Sequence, residues 1–471
     1  MQKTIFASCL KKSGLLPLLL VFATLPSPGL WSQTFRTLYH FGDDSSYDGS
    51  NPRSSLTLIG NTLFGTTHYG GHFDGFGSSA GIVFSINTDA TEYKLIFSFP
   101  FGAGGAQSGN PEGAFVISDG TLYGTGYEYI SAYNYFGSIF SAPLDGVNPF
   151  LNNWFDFQPM LGDGSQPDGV IQAGDLLYGV TRRGGKGGQG TVYRYDGSII
   201  TNLYCFSGRD GATPNGGLIL SSNGTLYGVT HSGGDWGNGT VYALDSFDSN
   251  FRILHHFNGT TNGEGANPKA GLILSGNTLF GTTLAGGTSG AGTVFSVATD
   301  GTGFTTLHSF TGGSEGANPS AALILSGKTL YGTTLHGGST GSGTVFSITV
   351  DGRVFSTLHS FSGSDGAFPA TELLLASNTL YGTTEFGGNW RSGTVFSLSL
   401  PVAPPRLTIT RSGLNVVLTW PTGRSSFLQS TTSLVSPPLW TRVFPGPVVV
   451  NGLNTVTNPI FPGQQFFRLS Q

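Results

Sequence analysis

Charged residues are scarce in this sequence of 471 residues. They make up 10% of the chain, whereas about 25% is usual in soluble globular domains. The 21 basic and 26 acidic residues give a formal net charge of −5, and no basic tract of the kind that holds a phosphate backbone is present. The composition therefore excludes a typical charged, helix-rich enzyme and argues against nucleic acid as a partner.

Cysteine is almost absent as well. The two cysteines are Cys9 and Cys205, and Cys9 lies inside the N-terminal segment that we expect to be removed. Cys205 then has no partner for an internal disulfide. We expect it to be a buried residue of a strand rather than a nucleophile.

The N-terminus has the pattern of a secretory signal peptide. Lys3, Lys11 and Lys12 precede an apolar stretch, residues 15–25, which is shorter than the roughly 20 residues of a membrane-spanning helix. We predict a signal peptide over residues 1–32, with cleavage after Ser32. The mature protein is then secreted, extracellular or associated with the cell surface, without a transmembrane anchor.

What the chain has in abundance is glycine and aromatic residues, arranged in a repeat. The motif Leu-Tyr/Phe-Gly occurs seven times, with its glycine at Gly65, Gly124, Gly179, Gly228, Gly281, Gly332 and Gly382. Each motif is followed by Gly-x-Val/Ile-Phe/Tyr and preceded by a proline, and most copies are about 50 residues long. A repeat of this kind is stronger evidence for the fold than any single predicted strand or helix.

Each copy contains four short β-rich runs separated by turn residues, and none has a sustained helical period. In copy 6 the runs are 322–326, 329–334, 343–349 and 355–361. A four-stranded antiparallel unit repeated seven times predicts an all-β fold, a seven-bladed β-propeller over residues 33–400. A β-helix with two coils per copy is the alternative, although its repeats are usually shorter. We expect the glycine in each second strand to let a neighbouring sheet approach closely.

The order of the runs indicates how the ring closes. The first run after the predicted signal peptide, residues 38–41, corresponds to the fourth strand of a copy, residues 358–361, whereas the last copy ends at its third strand. We predict that the N-terminal strand completes the last blade and closes the ring, which hides the edges that an open array would leave unpaired.

Residues 277–283, followed by Gly286-Gly287, residues 292–295 and Asp300-Gly301, resemble the Gloeo-Verruco (GloVer) tandem repeat of exported bacterial proteins. The resemblance covers residues 36–400. The Gly-Gly pair after the second strand also resembles kelch blades, without the regularly placed downstream tryptophan of kelch repeats. The resemblance implies an exported bacterial protein, often held at the cell surface by a C-terminal sorting signal, and implies no established activity.

The composition changes after a short Pro-rich linker, residues 401–405. Residues 406–471 contain five arginines and no Lys, Asp or Glu, and seven short β-rich runs in them predict a small β-sandwich. As a function, we consider retention or export, with the arginines holding an anionic polymer of the cell surface. The simpler interpretation is that the arginines face solvent or dock on the propeller, which carries all 26 acidic residues of the chain.

Candidate ligand-binding residues collect in the loops between second and third strands, because loops on a rigid scaffold commonly carry function. Exposed aromatic and polar side chains there suit stacking on sugar rings or contact with a protein. The candidates are Tyr69, Phe73, Phe76, Tyr127, Tyr129, Tyr133, Tyr135, Arg182, Arg183, Trp236, Phe386, Trp390 and Arg391. Insertions that only cap the ring are the alternative interpretation.

No catalytic, phosphate-binding or metal-binding motif is present, so we predict no catalytic residue, no metal and no cofactor. His255, His308 and His359 recur in fourth strands of different copies and should lie too far apart to share a metal. Acids that precede glycine in the loops leading into the next copy, such as Asp210 and Asp365, have the placement of turn residues.

The leading functional hypothesis is a non-enzymatic exported propeller that binds a glycan or a surface protein. A carbohydrate-active hydrolase or lyase is the second hypothesis, since Asp74, Glu128 and Asp235 could supply a pair of acids across the loop face. A structural protein of the cell surface is the third.

Overall fold

The computed structural model describes residues 7–8, 19–20, 33–42, 47–71, 80–99, 109–127, 129–131, 134–135, 137–144, 152–158, 162–247, 250–259, 263–401, 407–422, 427–433, 438–459 and 465–470. Regular structure in these residues is β-strand, which confirms the predicted all-β class. Within them there is no helix of the length and apolarity that crossing a membrane requires. The chain divides into two compact units, residues 34–399 and residues 1–33 with 400–471.

Among the described residues of 34–399, seven larger antiparallel sheets follow one another, and each corresponds to one copy of the repeat. We number them as the copies. Sheet 1 contains Ser50–Pro52, Thr57–Ile59, Thr62–Tyr69, Ile82–Asn87 and Lys94–Ser98; sheet 2 contains Gly109–Ser118, Thr121–Tyr127, Ser138–Pro143 and Asn152–Asp156; sheet 3 contains Ser165–Ala173, Leu176–Arg183, Thr191–Tyr195 and Ile200–Cys205; sheet 4 contains Ala212–Leu220, Thr225–Ser232, Thr240–Asp245 and Phe251–His256.

The remaining three sheets have shorter first strands. Sheet 5 contains Ile273–Ser275, Thr278–Thr283, Thr293–Ala298 and Thr305–Ser309; sheet 6 contains Ile324–Ser326, Thr329–Thr334, Thr344–Thr349 and Phe355–Ser360; sheet 7 contains Leu374–Ala376, Thr379–Thr384, Thr394–Ser399 and Phe35–His40. Two further two-stranded sheets are Gly265–Ala266 with Ala285–Gly286 and Tyr129–Ser131 with Asn134–Tyr135. Cys205 ends a strand as expected but is half-buried and unbridged rather than buried.

The N-terminal strand Phe35–His40 belongs to sheet 7, where it pairs antiparallel with Thr394–Ser399. Phe35 stacks on His359 of sheet 6 with ring centroids 3.7 Å apart, and Phe304 and Phe355 stack in the same way on His255 and His308. The strand Phe35–His40 therefore has the packing of a fourth strand.

The glycine of the Leu-Tyr/Phe-Gly motif and the aromatic residue of the Gly-x-Val/Ile-Phe/Tyr motif lie opposite each other in all seven sheets. In sheet 6, Gly332 lies directly opposite Phe346, and a Cβ atom at Gly332 would be 2.7 Å from Phe346 Cζ. The same pairs are Gly65 with Phe84, Gly124 with Phe140, Gly179 with Tyr193, Gly228 with Tyr242, Gly281 with Phe295 and Gly382 with Phe396. Our expectation for these glycines was wrong, because the space is filled by an aromatic ring of the same sheet rather than by a neighbouring sheet.

A buried pair of threonines explains why a threonine recurs at the end of the second strand and at the start of the third. In sheet 6 the Oγ1 atoms of Thr334 and Thr344 are 2.8 Å apart, and Thr334 Oγ1 also accepts the backbone N–H of Thr344. Equivalent threonine pairs link the second and third strands of sheets 3, 4, 5 and 7. Each pair satisfies polar groups that would otherwise be buried without a partner.

The core of residues 34–399 lies between neighbouring sheets rather than inside any one of them. One cluster joins Val241 and Leu254 of sheet 4 to Leu279 and Phe295 of sheet 5. Similar clusters join sheets 1 and 2, 2 and 3, 3 and 4, and 5 and 6. Another joins Phe41 and the sheet 7 strands to Phe84 and Ile82 of sheet 1. Both faces of a sheet are thereby covered by neighbouring sheets. This explains why the chain contains so few charged residues, since such residues are mostly exposed to solvent.

The other compact unit has two sheets in its C-terminal part. One contains Thr408–Ser412, Asn415–Pro421, Leu453–Pro459 and Val448–Val450, and the other contains Thr441–Arg442, Phe427–Thr431 and Phe466–Ser470. Leu418, Trp420, Leu428, Val456 and Phe467 form their shared core. In residues 1–32 only the paired strands Ala7–Ser8 and Leu19–Leu20 are described, so most of the predicted signal peptide lies outside the described residues.

Candidate ligand-binding cavity

A cavity of about 330 Å³ is lined by residues from all seven copies of the repeat. Each copy contributes the residue that directly follows its repeated proline. These seven residues are Arg53, Glu112, Asp168, Asn215, Lys269, Ser320 and Ala370. The copies place chemically different side chains around one space, while the strands behind them are nearly uniform.

The residue before each of these prolines fixes the geometry. In copy 6, Asn318 has a positive φ of 57°, a conformation that asparagine tolerates better than most residues. Its N–H donates to Ala291 O of the preceding copy, and its Nδ2 donates to Leu284 O of sheet 5 at 2.9 Å. Asn51, Asn110 and Asn267 make the same side-chain bond to the preceding sheet. These asparagine links hold the residue after the proline in place in copies 1, 2, 5 and 6.

The ends of the second strands supply further charged side chains. Arg182 and Glu385 occupy the same repeat position, three residues after the motif glycine, and both line the cavity. His68 and His231 stand at this position in copies 1 and 4, whereas copies 5 and 6 have leucine there. The charge at this end of the sheets is thus concentrated in particular copies.

An ion-pair network covers one side of the cavity, from copy 7 through copies 1 and 2 to copy 3. Arg53 contacts Glu385 at 2.5 Å and Glu112 at 3.0 Å. Arg182 contacts the other oxygen of Glu112 at 3.3 Å and Asp168 at 3.5 Å. Asp168 also accepts the N–H of Gly216 from copy 4 at 2.9 Å. We call these five side chains the arginine–carboxylate network; partial burial makes their mutual attraction stronger than on an open surface.

Burial shifts the pKa of two groups near the cavity. Burial, with the positive charge of Arg53, lowers the pKa of His68 to about 4, so His68 is neutral at physiological pH. Burial also raises the pKa of Glu372, a cavity-lining residue of copy 7, to about 7. Glu372 is therefore a carboxyl group that exchanges its proton near neutral pH.

Two tryptophans stand outside the cavity on equivalent turns of sheets 4 and 7. Trp236 follows Gly233-Gly234-Asp235 and Trp390 follows Gly387-Gly388-Asn389; they are 67% and 57% exposed. Below each turn a histidine of the fourth strand accepts a backbone hydrogen bond: Asp235 N–H donates to His256 Nδ1 at 3.1 Å, and Asn389 N–H donates to His40 Nδ1 at 3.2 Å. The indole rings are thus presented on anchored turns.

The structure separates the other predicted ligand-binding residues. Arg182 lies in the cavity and belongs to the ion-pair network, which corrects its assignment to an open loop. Tyr69 and Phe386 are 49% and 40% exposed, and Arg183 and Arg391 are exposed. Phe73, Phe76 and Tyr133 lie outside the described residues, as do the side chains of Tyr127, Tyr129 and Tyr135. Nothing in the described part of the chain brings Trp236 and Trp390 into contact.

The recurrent histidines of the fourth strands have a packing role. His255, His308 and His359 lie within 3.0 to 3.5 Å of Glu264, Glu315 and Asp365, the acids of the following loops. Tyr39 and Tyr204 donate to Asp48 and Asp210 in the same arrangement. Each ring also stacks on an aromatic residue of the next sheet. The acids therefore do more than shape turns, because each one also binds a ring at the junction between two sheets.

The acids named for a hydrolase are not the ones that the structure brings together. Asp74 and Glu128 lie outside the described residues, and Asp235 lies 3.8 Å from His256 on its exposed turn. The acids that share a cavity are Glu112, Asp168, Glu372 and Glu385. Sequence reasoning missed them, although one signal was available for Glu112 and Asp168: the residue after the repeated proline differs in every copy.

Comparison with known proteins identifies the repeat. The family model of the Gloeobacter/Verrucomicrobia repeat matches residues 74–264 and 233–416. No curated protein matches the chain in sequence.

Several solved structures are similar at low identity. They include a nidogen/laminin complex (17% identity, TM-score 0.39, 59% of this chain and 89% of that one), a puromycin-hydrolysing peptidase of Mycobacterium tuberculosis (12%, 0.46, 80% and 58%) and a periplasmic gluconolactonase of Pseudomonas aeruginosa (16%, 0.42, 76% and 96%). All three TM-scores lie below 0.5.

Proposed function

As the chain belongs to the Gloeobacter/Verrucomicrobia repeat family, whose repeat spans most of the sheets, we propose that residues 34–399 form a closed seven-bladed propeller that binds a glycan without cleaving it. The junction between the last and first sheets supports closure. Asn51 N–H donates to Ser392 O at 2.8 Å and its Nδ2 donates to Glu385 O, which are the bonds that Asn318 makes to sheet 5. Tyr39 of sheet 7 stacks on Tyr93 of sheet 1 at 3.9 Å.

The observation that carries the binding proposal is the cavity. A scaffold of nearly uniform sheets surrounds it with residues that differ from copy to copy, and rigid scaffolds of this kind commonly present binding groups at one end. The anchored Trp236 and Trp390 turns lie at the strand ends that also supply Arg182 and Glu385. Exposed indole rings suit stacking against sugar rings.

Export, kelch-like blades and surface retention complete the proposal. The lysines and apolar stretch of residues 1–32 support export, and the Gly-Gly pairs after the second strands support the likeness to kelch. In the C-terminal module, Arg442 and Arg411 are exposed and carry charge that no acid of residues 406–471 neutralises. Arg442 also packs over the rings of Phe427 and Phe444, 4.9 and 5.8 Å from their centroids, and Arg468 packs 4.3 Å above the Trp440 ring. We propose that the exposed arginines hold an anionic polymer of the cell surface.

A glycan array tests the binding proposal. We expect the purified protein to bind a defined set of glycans, and Trp236→Ala and Trp390→Ala to weaken that binding at least tenfold with unchanged melting temperatures. Phe247→Ala is the matched control, since Phe247 is 78% exposed but lies between third and fourth strands, at the opposite end of sheet 4. Absence of binding to every glycan and cell-wall fraction would reject the proposal.

A carbohydrate-active hydrolase or lyase is the second candidate, and Glu372 is the observation in its favour. A carboxyl group with a pKa of about 7 can act as a general acid, and Glu112, Asp168 and Glu385 line the same cavity. The test is turnover of the glycans that bind. If product forms and Glu372→Gln abolishes it, the protein is an enzyme; if bound glycans stay intact, binding alone is its function.

A further inference from the structure

The two sides of the cavity differ in how their polar groups are used. On the side of copies 7, 1, 2 and 3, the arginine–carboxylate network engages both arginines with carboxylates. On the side of copies 4, 5 and 6, the corresponding residues after the prolines are Asn215, Lys269 and Ser320. No described residue forms a hydrogen bond or an ion pair with these three side chains.

Ser320 is the most informative of the three. Its side chain is 5% exposed, it lines the cavity, and its buried Oγ has no hydrogen-bond partner among the described residues. A buried hydroxyl without a partner costs free energy. A partner that enters the cavity and hydrogen-bonds to Oγ removes this cost.

Lys269 adds a charge to the same side of the cavity. No carboxylate of the described residues lies within ion-pair distance of its ammonium group, while the acids opposite are held by Arg53 and Arg182. An ammonium group without a counter-charge at a cavity wall attracts an anion. Burial raises the pKa of Glu372, the remaining acid of the lining, to about 7, which favours its uncharged form more than in an ordinary carboxyl group.

The rest of the lining limits what kind of anion fits. On this side it consists of glycine and alanine, including Gly217, Ala270, Ala321 and Ala322, with no aromatic ring for stacking. A volume of about 330 Å³ is near the lower end of the roughly 300–1,000 Å³ of small-molecule sites. The site therefore suits a small ligand that is rich in hydroxyl groups and carries one negative charge.

We propose that copies 4 to 6 form a subsite for a carboxylated sugar, a uronic acid unit, whose carboxylate pairs with Lys269 and whose hydroxyls bond to Ser320 and Asn215. The Asn215 amide can both donate to and accept from neighbouring hydroxyls. This inference rests on the proposed glycan-binding function and names the sugar class that the cavity selects. The turns that carry Trp236 and Trp390 do not contribute to this selection.

The test is calorimetric titration of the full mature chain with three probes, D-glucuronate, D-glucose and the methyl ester of D-glucuronate. We expect glucuronate to bind at least tenfold more tightly than the other two, because only glucuronate presents an anion to Lys269. Lys269→Gln should remove this preference, and Ser320→Ala should weaken glucuronate binding about fivefold. Lys328→Gln is the matched control, since Lys328 is exposed and lies outside the lining.

The outcomes separate this inference from the function on which it rests. Equal affinities for glucuronate and its ester, or a Lys269→Gln protein that still prefers glucuronate, would overturn the subsite even if array binding through the tryptophans is intact. Loss of all glycan binding would overturn both. If Lys269→Gln does not fold, the comparison of acid and ester on the unaltered protein decides the question.

Discussion

Replacing Gly332 by alanine tests the claim that the repeat motifs exist to place an aromatic ring over a glycine. The added Cβ would lie 2.7 Å from both Phe346 Cζ and Leu323 Cδ2, whereas carbon atoms in contact are normally about 3.5–4.0 Å apart. Both neighbours are fully or almost fully buried, at 0% and 1% exposure, so neither can move into solvent. Contacts this short overpack the core, and we expect the substitution to lower the free energy of unfolding by about 1–3 kcal/mol.

The measurement is urea denaturation followed by tryptophan fluorescence and circular dichroism. Gly313→Ala is the control, because Gly313 is exposed and its nearest neighbouring atom, Thr311 Oγ1, would be 3.9 Å from the new Cβ; a surface change of this kind should stay within about 0.5 kcal/mol of the unaltered protein. The pair Gly332→Ala and Phe346→Leu then isolates the contact. We expect the double variant to be less destabilised than the sum of its parts by about 0.5–3 kcal/mol.

Two results would refute this reasoning. One is a Gly332→Ala protein as stable as Gly313→Ala. The other is strict additivity of the Gly332 and Phe346 substitutions, which would mean that the ring does not fill the space above the glycine.

Two further predictions concern the cavity and the links that shape it. Asn318→Ala should lower the free energy of unfolding by about 1–2 kcal/mol, because it removes the bond to Leu284 O and forces alanine to a positive φ. Asn318→Gly should cost less, since glycine accepts that conformation, and equal losses in urea denaturation would contradict this account. Glu372 has a raised pKa in the folded protein, so its contribution to stability is complete below pH 4.5 and is lost as the pH rises towards 7. The difference in stability between the unaltered protein and Glu372→Gln should therefore change between pH 4.5 and 7 and be constant below that range; a constant difference throughout would show that Glu372 titrates normally.

Much of the architecture could be predicted because the repeat makes local signals consistent across seven copies. Turn residues at regular spacing, β-rich runs without helical period and the displaced first strand all indicated four-stranded sheets. The strand Phe35–His40 pairs with Thr394–Ser399, as the order of the runs required. The motif glycines were identified correctly, but their role was explained wrongly. Which ring lies over Gly332 depends on the register between the second and third strands of the sheet, and that register cannot be read from the sequence.

The candidate site was predictable only in part. Trp236 and Trp390 are exposed on turns, as loop position and composition suggested. Arg182 was assigned to the same loops because it follows a second strand, but its side chain contacts Glu112 and Asp168 inside a cavity. The hydrophobic pattern of a strand tells which residues are buried, not which polar residue meets another from a different copy.

The sequence by itself determined the repeat, the strands and their antiparallel order, because turn chemistry and strand pairing act over a few residues and recur in every copy. The tertiary structure alone decided that the seven residues after the repeated prolines, more than 300 positions apart at the extremes, line one cavity. That convergence depends on how successive sheets pack on one another through their aromatic residues and asparagine links. It leaves Lys269 and Ser320 facing a space that no side chain in the described part of the protein fills.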